Sequence, residues 1–174
     1  SSAVIAAAAR IGILNEEIIP RDRPYPVLNP NFKSKKLSPS QINACTAIMD
    51  LQKKNSFSSI LLQGVTGSGK TEVYLRLTEN YIKKDKSVLI LVPEINLTPQ
   101  LINRFKNRFN GEIGVFHSNL TPKKRFETWL KSKFGEIKIV IGTRSSVLMP
   151  LKNLGAIIID EEHDHSYKQA EGFK

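Results

Sequence analysis

From Leu37 onward the chain alternates between short runs of consecutive apolar residues and longer stretches where apolar positions recur every three or four residues. The first pattern marks strands buried on both faces; the second marks amphipathic helices. Five runs predict strands, at 59–63 (Ser59-Ile60-Leu61-Leu62-Gln63), 87–92, 113–116, 137–141 and 156–159. Ser38 is the expected N-cap of a helix that starts at Pro39 and carries Ile42, Ala44, Ala47, Ile48 and Leu51 on its apolar positions. Further helices are predicted over 70–84, 98–109 and 123–133. Strands separated by helices are joined by right-handed crossovers, so the expected fold class is α/β, a doubly wound, mostly parallel sheet with helices on both faces.

Residues 1–36 break this rhythm. An Ala-rich stretch gives way to Pro20, Pro24, Pro26 and Pro30, too closely spaced for a long helix. This part reads as a linker with the remnant of a preceding domain, and the start without Met suggests a piece of a longer protein. No stretch approaches the ~20 apolar residues of a membrane span, so no membrane partner is expected.

Between the first predicted strand and the helix at 70–84 lies Gly64-Val65-Thr66-Gly67-Ser68-Gly69-Lys70-Thr71, which fits G-x-x-x-x-G-K-[ST] with an added glycine at Gly67. Glycines let the backbone curl so that successive N–H groups face phosphate oxygens, and the helix N-terminus adds partial positive charge. Lys70 is expected on the β- and γ-phosphates and the Thr71 hydroxyl on Mg²⁺. Ninety residues after Lys70, the apolar run 157–159 ends in Asp160-Glu161-Glu162-His163. An acidic residue at the carboxyl end of a parallel strand lies in the crevice where such sheets bind ligands. Asp160 is the expected Mg²⁺ ligand through water, and Glu161 the general base that polarises the attacking water. On its own this segment is equally an acidic loop capping a strand. The loop and the carboxylates together point to a nucleotide hydrolase without saying which.

Charge narrows the choice. The chain has 26 Lys and Arg against 16 Asp and Glu, a net +10, which favours a polyanionic partner and nucleic acid first. Much of the excess falls in 104–133, where Arg104, Lys106, Arg108, Lys123, Lys124, Arg125, Lys131 and Lys133 face only Glu112 and Glu127. Cys45 is the single cysteine, which excludes a disulfide framework or a cysteine-rich zinc site in this chain and fits a reducing cytosol.

The Asp160-Glu161-Glu162-His163 segment resembles the D-E-x-H box of superfamily-two helicases. Leu91 to Gln100 resembles that superfamily's motif Ia, Phe116-His117-Ser118 its motif Ib, and Ile141-Gly142-Thr143-Arg144-Ser145-Ser146 the next DNA-contact motif. Within the superfamily, Gly64 to Tyr74, Pro93 to Gln100 and Asn153 to Gln169 resemble the bacterial replication-restart, or primosomal, helicases. The resemblance covers residue 37 to the end; over 1–36 it is weak, towards the tail of a winged-helix domain. It implies a RecA-like P-loop NTPase lobe, the first of two, cut within an aromatic-rich loop after the box. It also implies an ATP-dependent 3′-to-5′ DNA helicase of the bacterial cytoplasm that restarts stalled forks. ATP and Mg²⁺ are the implied cofactors, with zinc in the longer protein only. The implied partners are forked and single-stranded DNA, primosome proteins and single-stranded-DNA-binding protein.

By the same resemblance Gln41 reads adenine and His163 couples the two sites, while Thr98, Gln100, His117, Ser118, Thr143, Arg144, Ser145, Tyr167 and Lys168 are DNA-contact candidates. Small hydroxyl and amide donors suit phosphate and sugar contacts, though loop Thr and Ser also cap helices. The second lobe of such a helicase supplies an arginine finger, so this chain alone is expected to turn ATP over poorly. Two other classes stay open: a P-loop small-molecule kinase, which the helicase-like motifs oppose, and a nucleotide-binding assembly module that unwinds nothing.

Overall fold

A computed structural model describes residues 27–29, 36–52 and 56–168. The elements are β1 (Val27–Leu28), α1 (Pro39–Gln52), α2 (Lys70–Lys83), β2 (Ser87–Leu91), α3 (Pro99–Arg108), β3 (Phe109–Asn110), β4 (Ile113–Phe116), α4 (Pro122–Phe134), β5 (Ile139–Gly142) and β6 (Leu154–Ile159). Strands β4, β5, β2 and β6 form one parallel sheet in that order. The predicted helices and four of the five predicted strands are present, with ends within three residues of their expected limits.

Strand β2 is buried from end to end, and its pleat divides the core. Val88 and Ile90 pack with Tyr74 and Leu75 of α2 and Phe105 of α3, together with Ile139, Ile141 and Ile158. Leu89 and Leu91 point the other way, to Val140, Met149 and Leu151, with Trp129 of α4 against them. Helices thus cover both faces, as the continuous apolar runs require. Burying each such aliphatic side chain contributes about 1.5–3 kcal/mol.

Two expectations change. Residues 59–63 form no strand, and Ile60 and Leu61 are exposed, Leu61 at 74%. A strand exists only through ladder partners, and among the described residues nothing pairs with this segment or with the outer edge of β6. In the stretch read as a linker, β1 pairs antiparallel with β3, Val27 opposite Asn110 and Leu28 opposite Phe109. The remainder of the preceding-domain reading lies outside the described residues.

A buried ion network ties α2 to α3. Arg108, the last residue of α3, is fully buried; its Nε donates to Glu79 Oε1 at 2.5 Å and its Nη1 to Glu72 Oε1 at 2.8 Å. Arg76 donates to the other Glu79 oxygen at 3.1 Å. Arg108 is therefore no part of a DNA-facing basic surface. Lys131 is likewise engaged, by the Glu112 carboxylate at 2.6 Å.

Replacing Arg108 with alanine leaves the half-buried Glu72 carboxylate without its cation and the buried Glu79 with Arg76 alone. The expected loss is roughly 3–5 kcal/mol of unfolding free energy, read from the denaturant midpoint at unchanged slope. A loss below about 1 kcal/mol, the range of an exposed pair, counts against the network as the join between the helices.

Candidate nucleotide and nucleic-acid site

The phosphate loop is built by two left-handed glycines. Gly67 has φ +81° and Gly69 φ +84°, conformations that side chains rarely adopt. Gly69 is also the N-cap of α2 and offers no capping side chain. By contrast, Ser38, Thr98 and Thr121 cap α1, α3 and α4 with their hydroxyls. The first N–H groups of α2 are thus left for an external acceptor, the arrangement that receives phosphate.

Lys70 folds back on the loop in this state. Its Nζ donates to the Gly64 carbonyl at 2.8 Å and lies 3.8 Å from Glu161 Oε1. One helical turn later, Tyr74 donates to Asp160 Oδ1 at 3.0 Å. Residues four apart share a helix face, so α2 presents Lys70 to Glu161 and Tyr74 to Asp160. Tyr74 is buried, and burial followed by the Asp160 charge pushes its phenol above its ordinary pKa, keeping it a donor. Sequence reasoning passed Tyr74 over; its only signal was its place four residues after Lys70 on the same helix.

Glu161 has φ +47°, an uncommon conformation for a residue with a side chain, and its carbonyl accepts from Asp164 N at 2.9 Å to close a turn. Such strain of about 1–3 kcal/mol persists where surrounding contacts enforce it. His163 stands at the rim, with Nε2 3.6 Å from Glu161 Oε2. Asp160 at the end of β6 and the Thr71 hydroxyl at the second position of α2 are oxygen donors of the kind Mg²⁺ prefers. Tyr74 engages Oδ1 of Asp160, as an outer-shell partner of a metal-holding carboxylate would. The ion, when bound, would neutralise charge between phosphate oxygens.

Gln41 is held against the loop. Ser38 N donates to Gln41 Oε1 at 2.9 Å while Gln41 N donates to Ser38 Oγ at 3.3 Å, a reciprocal capping box at the start of α1. Its Nε2 donates to the Ser68 and Gly69 carbonyls at 3.3 and 3.4 Å. A Cβ on Gly69 would collide with this amide.

The DNA-contact candidates lie along the same carboxyl edge of the sheet, beyond β2, β4 and β5. Thr98 Oγ1 accepts from Leu101 N and so caps α3. Ser118 donates to Glu94 at 3.2 Å, His117 is half-buried, and Thr143 is almost fully buried. Gln100, Arg144, Ser145 and Lys168 are exposed. Tyr167 turns inward: it packs with Leu89, Leu91 and Met149, and its hydroxyl donates to the Asp160 carbonyl at 2.9 Å. Its phenol is also pushed up, by burial first and Asp160 second. Lys123, Lys124 and Arg125 crowd the first turn of α4, where the helix dipole disfavours cations and an added phosphate would offset them.

A family model described as DEAD/DEAH box helicase matches residues 38–174. The replication restart protein PriA of Bacillus subtilis is 43% identical over 176 residues, covering 98% of this chain and 22% of that protein. PriA of Synechocystis sp. is 50% identical over 135 residues, covering 78% of this chain and 16% of the relative. PriA of Haemophilus influenzae is 56% identical over 120 residues, covering 69% and 16%. The chain thus spans about a fifth or less of the length of these relatives. No described helix is long and apolar enough to cross a membrane. The phosphate loop at the open end of α2, with Lys70 against Glu161 and Tyr74 against Asp160, falls within the matched residues, and the chain belongs to the DEAD/DEAH box helicase family.

Proposed function

We propose that this chain is the ATP-binding lobe, and part of the DNA-contacting surface, of an ATP-dependent 3′-to-5′ DNA helicase that acts in the cytoplasm to restart stalled replication forks. The carrying observation is the meeting of Lys70 and Tyr74, one turn apart on α2, with Glu161 and Asp160 at the end of β6. The names of the relatives support the restart role. Lys70 neutralises phosphate charge, Glu161 takes the proton of the attacking water, and Thr71 and Asp160 hold Mg²⁺. The phosphate loop, Gly64-Val65-Thr66-Gly67-Ser68-Gly69, cradles the phosphates, and Gln41 joins the adenine to that loop. DNA runs over the α3 N-terminus, His117-Ser118 and Thr143-Arg144-Ser145, with its phosphates met by hydroxyls and Arg144. Zinc, primosome proteins and single-stranded-DNA-binding protein belong to the longer protein, and the 174-residue lobe alone turns ATP over weakly.

In the longer protein, Lys70→Ala is expected to abolish hydrolysis while fork binding stays within about threefold of the parent. The pair of assays is steady-state turnover beside a fork titration. Normal turnover, or binding lost in step with hydrolysis, refutes the assignment.

Tyr74→Phe is expected to raise the Mg²⁺ concentration for half-maximal hydrolysis about tenfold, as loss of an outer-shell partner does. Turnover at saturating Mg²⁺ should fall much less. An unchanged Mg²⁺ titration means that the phenol does not orient Asp160.

Tyr167→Ala should lower the melting temperature and reduce hydrolysis with and without single-stranded DNA, because its ring is a packing anchor beneath Asp160. Lys168→Ala, on the exposed side of the same turn, should reduce only the DNA-stimulated rate. Selective loss of stimulation in Tyr167→Ala, at unchanged melting temperature, would reverse the two roles.

A further inference from the structure

Past the carboxyl ends of β2, β4 and β5 lies a cavity of about 310 Å³, lined from Glu94 to Thr143 and sharing no lining residue with the phosphate loop or the Asp160-Glu161 pair. Leu97, Ile102 and Val115 supply apolar walls, and His117 contributes a half-buried ring. Its polar groups are few and convergent. The Glu94 carboxylate is steadied by the Ser118 hydroxyl at 3.2 Å. Thr143 lines the cavity at only 4% exposure.

This set is wrong for a phosphate, because Glu94 repels an anion and no Lys or Arg lines the cavity. It is right for a planar heteroaromatic group that buries its faces between apolar walls and donates from its edge. A carboxylate accepts from the exocyclic amine of a base. The phosphate-contact candidates Thr98, Gln100, Arg144 and Ser145 flank the cavity in sequence, so a strand laid across them passes its mouth.

We propose that this cavity receives one unstacked nucleobase of the bound single strand and that Glu94 selects bases carrying an exocyclic amine, cytosine, adenine or guanine, over thymine. The inference rests on the DNA-contacting role proposed above. It adds a base-dependent term to a surface otherwise expected to read only backbone.

The test is anisotropy titration of the longer protein with oligo-dC and oligo-dT of equal length, at one fixed salt concentration, for the parent, Glu94→Ala and Arg144→Ala. The parent should prefer dC by about fivefold, the size of one good acceptor contact. Glu94→Ala should erase that preference while dT binding holds or tightens; Glu94 is exposed, so a melting curve should confirm an intact fold. Two results overturn the pocket but leave the DNA-contacting role standing. One is a dC/dT ratio unchanged by Glu94→Ala. The other is tighter binding of both oligonucleotides at a constant ratio, which makes the carboxylate a simple repeller of phosphate. If Arg144→Ala and Glu94→Ala both leave dC and dT binding untouched, the strand does not cross this surface, and the DNA-contacting role fails with the pocket.

Discussion

The pairing of β2 with a neighbour on each side is the constraint on which the site depends. Leu91 stands opposite both Gly142 of β5 and Ile159 of β6, and Phe116 of β4 stands opposite Gly142. The ladder continues past the strand ends: Asp160 N donates to Leu91 O, Val92 N to Gly142 O and Thr143 N to Phe116 O. Four segments distant in sequence therefore emerge level at one edge. A slip of β6 by one residue would carry Asp160 about 3.3 Å along the sheet, further than the 3.0 Å hydrogen bond to Tyr74 can stretch. It would also turn Ile158 out of the core. Hydrophobic burial thus fixes the geometry of the candidate site, because register serves both.

Close approach of backbones reinforces that edge. A Cβ on Gly142 would collide with the Phe116 carbonyl and the Ser146 hydroxyl, which itself donates to Phe116 O at 2.9 Å. Only a residue without a side chain lets the turn after β5 lie against the end of β4 and keep Thr143 on the cavity floor. The Arg108 network does the corresponding work between helices. Glu72 sits directly after Thr71 in the first turn of α2, and Arg108 closes α3, whose N-terminus carries Thr98 and Gln100. Buried charges are costly to desolvate and hold only in good geometry, so the pair sets the mutual position of the two helices more than it adds stability.

The strongly periodic parts of the fold were legible because burial imposes its period on the sequence. The runs at 87–91, 113–116 and 154–159 lie in the sheet, and α2, α3 and α4 begin at or within a residue or two of their expected starts. Residues 59–63 carry the same apolar signature yet lack a ladder, since composition reports affinity for a sheet and not the presence of a neighbour. Arg108 was counted with the basic surface because nothing local separates a cation bound for solvent from one matched to Glu72 and Glu79 across 36 and 29 residues. Gln41 is different. The Ser38-to-Gln41 spacing is a capping-box signal present in the sequence and could have been read. Tyr167 was among the DNA-contact candidates, but its place seven residues after Asp160 lets the chain fold its hydroxyl back to the Asp160 carbonyl.

The Lys70 contacts give the site its capacity to respond. The ammonium donates to the Gly64 and Val65 carbonyls at 2.8 and 3.5 Å and pairs with the Glu161 carboxylate at 3.8 Å. A phosphate seated on the open end of α2 competes for that ammonium with a larger charge and leaves Glu161 without its nearest cation. Glu161 is already in a strained turn, closed by Asp164 and followed by Tyr167 beneath Asp160. Asp160, by contrast, is held by Tyr74 on one side and by its own backbone bond to Leu91 on the other. Of the two carboxylates, Asp160 is the one pinned to the sheet and Glu161 the one set in a strained turn, a difference that fits the proposed roles of metal ligand and base.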